Sequence, residues 1–218
     1  MTSADLSSQP RLLANLPPDS RLGAVAELKH LEALRQAGAT LAPICLVPAA
    51  AEENFYHLNN LSEKLRKLAF GLDLHDPDED EVEDVALEAH TLLQQHFLLD
   101  EFIDLFYAAL ERLPARVRIR RPAEAGRVVM RNRLALLALK DTWEDSWTPE
   151  ALLQRLRSGG SLVPPARPVL LHTAGDTTAE GELSLWASKL LGNPVKLFKE
   201  PASGITRVIP RALPRRGE

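Results

Sequence analysis

A change in hydrophobic period near Pro114 limits most strongly what this chain can fold into. Before this proline, apolar residues recur every three or four positions, which places them on one face of a helix. Directly after it, Arg116, Arg118 and Arg120 alternate with two apolar residues, a two-residue period that is typical of a strand. A chain that carries the two periods in separate blocks is predicted to be an α+β protein.

The helical blocks occupy most of the first 160 residues, so the N-terminal half is predicted to be rich in helix. Helices are predicted over 21–37, from 48 to about 58, over 61–68, from the acidic block at 76–88 onward, over 99–113, over 133–146 and from 149 to about 158. Proline at position 114 stops one of them, and Thr148 followed by Pro149 is a typical helix start.

Short apolar runs predict the strands. They lie at 41–47, 116–120, 127–131, 169–171, 195–198 and 205–209. The turn-like interval 122–126 joins the two arginine-bearing strands into a β-hairpin, and Pro201–Gly204 joins the last two strands into another. With the predicted helix at 182–191, the C-terminal part reads as a small β-α-β-β unit.

The expected domain organisation follows from these blocks. Residues 1–20 hold three prolines and little periodicity, which predicts a flexible N-terminal arm. A helix-rich α+β domain is expected over 21–161 and a small β-α-β-β subdomain over 168–210, separated by the proline-rich run 162–168. Residues 211–218 form a basic tail.

Composition excludes some classes of protein. The net charge of −4 gives no overall preference for nucleic acid or membranes. No apolar run approaches the length of a membrane helix, and Met1–Pro10 lacks the pattern of a secretory signal. The single cysteine, Cys45, has apolar neighbours, which predicts a buried thiol. Together these features predict a soluble cytoplasmic protein.

No complete catalytic or metal-binding motif is present in the sequence. His90 and His96 share one helical region, but six residues of separation place them on different sides of an ideal helix. There is no Gly-x-Ser-x-Gly segment, and the glycine-rich turn Ser158–Ser161 lacks the lysine of a phosphate-binding loop. We therefore predict no catalytic residue, no metal ligand and no bound cofactor.

An acidic block of eight carboxylates lies between Asp76 and Glu88. One interpretation is a helix start, since negative charge is favoured at the positive end of the helix dipole. The other is a calcium loop, which normally needs a central glycine that this segment lacks. The helix start is the favoured interpretation.

The strongest local signal is a cluster of eight arginines between Arg112 and Arg133. If the guanidinium groups of the hairpin point outward, they form a face that suits phosphates. The candidate ligand-binding residues on this face are Arg116, Arg118, Arg120 and Arg131. In the alternative interpretation the cluster pairs with the acidic block, within one chain or across a dimer, or simply faces water.

Two segments carry a resemblance to a known family. Residues 31–47 read LEALRQAGATLAPICLV and residues 117–124 read VRIRRPAE. They resemble the Leu-x-x-Leu-x-x-Ala-Gly helix with its following proline-containing strand, and the Val-Arg-Ser-Ser-Ala-Thr-Ala-Glu strand, of the nucleotide-binding domain in the phosphoenolpyruvate synthase and pyruvate phosphate dikinase family. Residues 137–156, with Trp143 and Trp147, are similar to the helix that follows in that family.

The chain departs from that family at the positions that contact phosphate. Val25-Ala26-Glu27 stands where the family has Gly-Gly-Lys, so an anion replaces a cation. Ile119 and Arg120 replace the paired serines, and Arg118 alone is retained from the phosphate-contacting set. The resemblance therefore implies a degenerate relative of a nucleotide-binding domain.

Three functions remain open at this point. The first is a non-catalytic protein that binds a protein partner or a second copy of itself. The second is an ATP-dependent or phosphate-ligand-dependent protein that uses the arginine face. The third is association with nucleic acid through the same face, which is less favoured because no aromatic residues for base stacking lie near the arginines.

Overall fold

The structure, a computed structural model, describes residues 9–12, 25–73, 76–179 and 181–211. These residues form helices and two antiparallel sheets, which confirms the predicted α+β class. The helices are α1 (Ala26–Gln36), α2 (Ala49–Leu58), α3 (Leu61–Leu68), α4 (Glu79–Gln95), α5 (Asp100–Leu110), α6 (Arg133–Glu144), α7 (Pro149–Arg157) and α8 (Gly181–Leu191). The strands are β1 (Arg11–Leu12), β2 (Cys45–Val47), β3 (Arg116–Arg120), β4 (Arg127–Met130), β5 (Val169–Thr173), β6 (Thr177–Thr178), β7 (Val195–Glu200) and β8 (Gly204–Pro210).

The predicted elements are present with small differences at their ends. Helix α5 ends at Leu110, earlier than predicted, and Arg131 lies one residue beyond β4. The two-residue strands β1 and β6 are not predicted from the sequence, because so short a strand has no visible period. Strand β1 lies in the segment expected to be a flexible arm. Three predicted segments lie outside the described residues: most of that arm, the first residues of the helix predicted from Arg21, and the tail after Arg211.

The chain folds into two compact units. The helical unit comprises Val47–Ala108 and Asn132–Val169, and the sheet unit comprises Arg11–Leu46, Ala109–Arg131 and the described residues from Leu170 onward. The division into domains at 162–168 stays a prediction. In the described part of the chain, no helix combines the length and the apolar character that a membrane crossing needs.

Apolar stripes on neighbouring helices hold the helical unit together. Helix α4 buries Val82, Ala86, Ala89 and Leu93, which repeat at steps of four, three and four residues. This stripe contacts α3, α6 and α7.

Capping side chains fix where two helices of this unit begin. The carboxylate of Asp78 accepts hydrogen bonds from the backbone N–H groups of Asp80 (3.0 Å) and Glu81 (3.2 Å). The hydroxyl of Thr148 accepts one from the N–H of Ala151 (3.3 Å). The acidic block therefore opens a helix, as predicted, and the calcium-loop alternative is wrong.

The sheet unit is built around one helix packed on a small antiparallel sheet. Helix α1 buries Leu28, Leu31 and Leu34 in one apolar core with Leu197 of β7 and Val208 of β8. Complete burial of each leucine contributes on the order of 2 kcal/mol. Sheet order is β1-β2-β5-β3-β4 in the five-stranded sheet and β6-β7-β8 in the three-stranded one.

The arginine hairpin reverses direction through a tight turn. Arg116 lies opposite Met130 and Ile119 lies opposite Arg127. The turn has positive φ angles at Ala123 (67°) and Gly126 (68°). A Cβ atom on Gly126 would overlap the carbonyl oxygen of Ile119 and the Cβ of Arg120, so the hairpin requires glycine here.

Replacing Gly126 should therefore cost more than the usual penalty of a left-handed residue. Gly126→Ala combines that penalty, about 1–2 kcal/mol, with a backbone overlap that must displace β3. Gly192→Ala is the matched control, since Gly192 has φ 69° but open space around its Cβ position. Urea unfolding should show a loss for Gly126→Ala that exceeds the control by at least about 1 kcal/mol. Equal losses would contradict the described turn.

Candidate functional site

A completely buried ion pair lies at the centre of the sheet unit. Arg120, the last residue of β3, has no exposed surface, and the side chain of Glu27 in the first turn of α1 is 3% exposed. The two Nη atoms of Arg120 donate to the two carboxylate oxygens of Glu27 at 2.6 and 2.8 Å. This is the paired geometry in which guanidinium and carboxylate interact most strongly.

The remaining hydrogen-bonding capacity of the pair is also used. The Nε of Arg120 donates to Nε2 of His172 at 2.9 Å. The carboxylate of Glu27 accepts from the backbone N–H of Ala123 at 2.8 Å and from that of Val208 at 3.3 Å. One ion pair therefore joins α1, β3, the β3–β4 turn, β5 and β8, and each polar atom of the two side chains has a hydrogen-bond partner among the described residues.

The local sequence explains how both charges reach the interior. Alternation along β3 puts Arg116, Arg118 and Arg120 on one face of the strand, and the exposed fraction falls along it from an exposed Arg116 to a buried Arg120. Glu27 lies in the first turn of α1, where the helix dipole favours a carboxylate. Its neighbour Leu28 is part of the apolar core.

His172 is held neutral in this network. Its Nδ1 lies 2.8 Å from the carbonyl oxygen of Thr173, which can only accept, so Nδ1 carries the proton and Nε2 accepts from Arg120. Burial, reinforced by the charge of Arg120, lowers the pKa of His172 from its ordinary value of 6.5 to about 3. His172 thus acts as a neutral acceptor.

Two further arginines surround the pair. The Nε of Arg118 lies 3.4 Å from a carboxylate oxygen of Asp176, and its side chain is 23% exposed. Arg207 lies over the ring of Phe198 at 4.8 Å and donates to the carbonyl of Glu124. Burial, followed by the nearby charge of Arg120, lowers the pKa of Arg207.

The cluster carries more positive than negative charge. Its guanidinium groups belong to Arg118, Arg120 and Arg207, and its carboxylates to Glu27 and Asp176, so three cations face two anions. Such a surplus attracts an anion.

The four arginines proposed from the sequence do not form one site. Arg118 and Arg120 belong to the buried cluster, and Arg116 is exposed at the other end of β3. Arg131 donates from Nη1 to the backbone carbonyls of Leu110, the last residue of α5, and of Glu111 and Leu113, which follow it. The expectation that these side chains all point outward is wrong for Arg120, because the strand's inner end is covered by α1 and β8. That the four arginines bind a phosphate-bearing ligand stays a prediction.

The carboxylates that pair with these arginines were not identified from the sequence. Glu27 and Asp176 lie far from the arginine strand in the chain, and neither belongs to the acidic block. Two signals could have pointed to this cluster: Glu27 is an acid placed where the resembled family has lysine, and His172 follows three apolar residues in a short buried strand.

Other candidate groups have structural roles. The Cys45 thiol is buried, as predicted, and this burial raises its pKa to about 12. His90 lies 3.5 Å from a carboxylate oxygen of Glu144, and His96 contacts Lys64 at 2.8 Å. Within the described ranges no group of three or more histidine, cysteine or acidic side chains is arranged to hold a metal ion.

Each unit also has a concave surface. In the helical unit a pocket of about 260 Å³ is lined by Glu52, Tyr56 and seven other residues, and the carboxylate of Glu52 accepts from the N–H of Arg167 at 2.9 Å. In the sheet unit a mainly apolar groove of about 310 Å³ lies beside Trp186 and Gly204. The first volume lies just below and the second just inside the range of typical ligand sites, which begins at about 300 Å³.

No protein-family model matches the chain, and no curated protein matches it at a significant level.

The neutral state of His172 predicts a pH-dependent stability. The unfolded chain takes up a proton near pH 6.5, whereas the folded protein does so only near pH 3, so the free energy of unfolding should fall as the pH drops through this window. The contribution of this residue is about 1.4 kcal/mol per pH unit. His172→Gln removes the titrating ring, and its stability should change less between about pH 4 and 6.5.

Chemical unfolding at several pH values would measure this difference. His57→Gln, at an exposed position of α2, is the control and should keep the pH dependence of the wild type. If His172→Gln and the wild type show the same slope, His172 is not buried in its neutral form.

Proposed function

We propose that this chain is a non-catalytic binding protein that acts by holding a protein partner. The observation that carries the proposal is the saturated Glu27–Arg120 pair. The polar atoms of both side chains take part in hydrogen bonds that hold the sheet unit together. Because catalysis needs groups that can exchange partners with a substrate, this centre is suited to architecture rather than to chemistry.

The family resemblance supports the same proposal. Glu27 stands at the position of the family's lysine and Arg120 at that of its second serine, and these two replaced residues form the ion pair. The carboxylate of Glu27 neutralises the positive charge of Arg120, which would otherwise be able to bind a nucleotide phosphate. In this proposal the chain is a degenerate relative of a nucleotide-binding domain that has kept the fold and lost the ligand.

Exposed apolar side chains supply surfaces for a partner. In the sheet unit, Val128 and Met130 on β4 and Leu185 and Trp186 on α8 are between 37% and 63% exposed. The partner in this proposal is another protein or a second copy of the chain. The proposal includes a cytoplasmic location, because the lone thiol of Cys45 is buried and closes no disulfide.

A second candidate function is the binding of a phosphate-bearing ligand at Arg118. The observation that favours it is the surplus cation of the cluster, together with the Nε atoms of Arg118 and Arg207, which are buried and donate no hydrogen bond to the described residues. Arg118 is also the residue that the resemblance retains. A phosphate oxygen would complement both the charge and the unused donors.

One set of measurements tests the two candidates. In the first, purified protein is incubated with magnesium ATP and pyruvate, and the released phosphate is measured. In the second, the melting temperature of the protein is recorded in ATP, in phosphoenolpyruvate and in inorganic phosphate, with sodium chloride of equal ionic strength as the control. The first proposal predicts no phosphate release and no saturable stabilisation. Turnover of ATP would overturn it.

Matched variants test whether a phosphate compound binds at Arg118, as the second candidate function requires. If a phosphate compound does stabilise the protein saturably, Arg118→Gln should abolish the effect, because it removes the partly exposed cation beside Asp176. Arg116→Gln, two residues away on the same strand face but exposed, should leave it unchanged. Stabilisation that survives Arg118→Gln would exclude a phosphate site at this residue.

A further inference from the structure

Strand β4 forms an edge of the five-stranded sheet. In the sheet order β4 is terminal, and its hydrogen-bonded neighbour is β3. Val128 is 37% exposed and Met130 is 44% exposed. An exposed edge strand presents backbone donors and acceptors to any chain that can pair with it.

The register shows which backbone groups face this edge. The N–H of Arg131 donates to the carbonyl of Ala115 at 2.8 Å, which extends the ladder in which Val129 lies opposite Val117. In an antiparallel ladder, directly hydrogen-bonded pairs alternate with pairs that are not, so Arg127, Val129 and Arg131 face β3. Val128 and Met130 therefore direct their N–H and C=O groups away from β3, and these four groups can accept a further strand.

Positive charge lies beside this edge. Arg116 is opposite Met130 and Arg118 is opposite Val128, so these four side chains lie on one face of the hairpin. Arg116 is exposed and Arg118 partly so, and the exposed Arg131 follows the strand. The open edge is thus a short ladder with exposed apolar side chains at Val128 and Met130 and with cationic side chains on the neighbouring strand and at its own end.

We propose that β4 binds an extended acidic segment of a partner protein, which adds to the sheet as a sixth strand. The inference rests on the proposed function as a partner-binding protein and names the surface and the class of partner. Backbone hydrogen bonds to Val128 and Met130 supply the register. Acidic side chains opposite these two residues lie on the same face as Arg116 and Arg118 of the next strand, whose positive charge supplies selectivity. The segment needs an alternating pattern of acidic and apolar residues without proline at the pairing positions.

Charge complementarity favours this occupant over a second copy. Antiparallel pairing of β4 with the β4 of another copy, with Val128 opposite Met130, would place Arg131 of each chain opposite Arg127 of the other, and like charges across paired strands are destabilising. An acidic segment is instead attracted by the positive charge of the arginines around this edge. The arginines therefore protect the edge from self-association and admit a strand of opposite charge.

A labelled model peptide tests this surface directly. The probe is an acetylated, fluorescein-labelled peptide of about seven alternating glutamate and valine residues, and its binding to the full chain is followed by fluorescence anisotropy at about 50 and 300 mM salt. We expect saturable binding that weakens at the higher salt concentration. Hydrogen exchange at the amides of Val128 and Met130 should slow when the peptide is bound, because their N–H groups become strand partners. A peptide with lysine in place of glutamate and a peptide with a central proline should not bind.

Variants of the edge separate backbone pairing from charge. Val128→Pro removes one outward N–H and leaves the bonds to β3 in place, and it should weaken the acidic peptide at least about tenfold. Val128→Ala loses the side chain but keeps the N–H, and should stay within about threefold of the wild type. Arg116→Glu changes only an exposed side chain, so this variant remains informative if Val128→Pro does not fold. It should also weaken binding of the acidic peptide at least about tenfold at low salt.

Three results would overturn the inference. The first is the absence of saturable peptide binding up to about 1 mM, and the second is an equal affinity of the wild type and of Val128→Pro for the peptide. The third is binding of an oligothymidine that Arg116→Glu abolishes and that Val128→Pro leaves unchanged. The last result would assign the arginines to nucleic acid. Failure of the peptide does not touch the proposed lack of catalysis, which is tested separately by phosphate release and nucleotide stabilisation.

Discussion

The Glu27–Arg120 ion pair is the interaction on which the sheet unit depends. Removing two charges from water is costly, and the cost is offset only when every hydrogen-bonding group of the pair finds a partner. Here the partners come from the β3–β4 turn, β5 and β8 as well as from the pair itself. Loss of one member of such a pair typically costs about 3–5 kcal/mol, because the other is left buried and uncompensated. The pair therefore ties β3 and the β3–β4 turn to α1, β5 and β8, which already share the apolar core.

This pair also divides the arginine strand into two parts with different roles. At its inner end Arg120 is committed to Glu27 and His172, and Arg118 lies beside Asp176. At its outer end Arg116 is exposed next to the open edge of β4. A single alternating pattern thus provides a structural anchor and, in the proposed function, a charged surface for a partner. The exposed fraction of each arginine, not its position in the pattern, decides which role it has.

Local signals in the sequence were sufficient for most of the fold. The leucine spacing of α1, the cap at Asp78 and the alternation of β3 each depend on residues within a few positions, so the helices and the hairpin could be predicted. The candidate site could be predicted only in part, because Arg120 meets a carboxylate that lies 93 residues away in the chain. No period or motif encodes a contact between a helix start and a distant strand end, and it emerges only when α1 packs on the sheet.

The most direct test of the central role of Glu27 is hydrogen exchange at the amides of Ala123 and Val208. Ala123 belongs to an exposed turn, yet its N–H donates to the buried carboxylate. If Glu27 closes the unit as described, the Ala123 amide should exchange as slowly as that of Val208 in β8, and far more slowly than the exposed Ala125 in the same turn. Exchange of Ala123 at the rate of Ala125 would show that the carboxylate does not hold the turn, and would contradict this account of the fold.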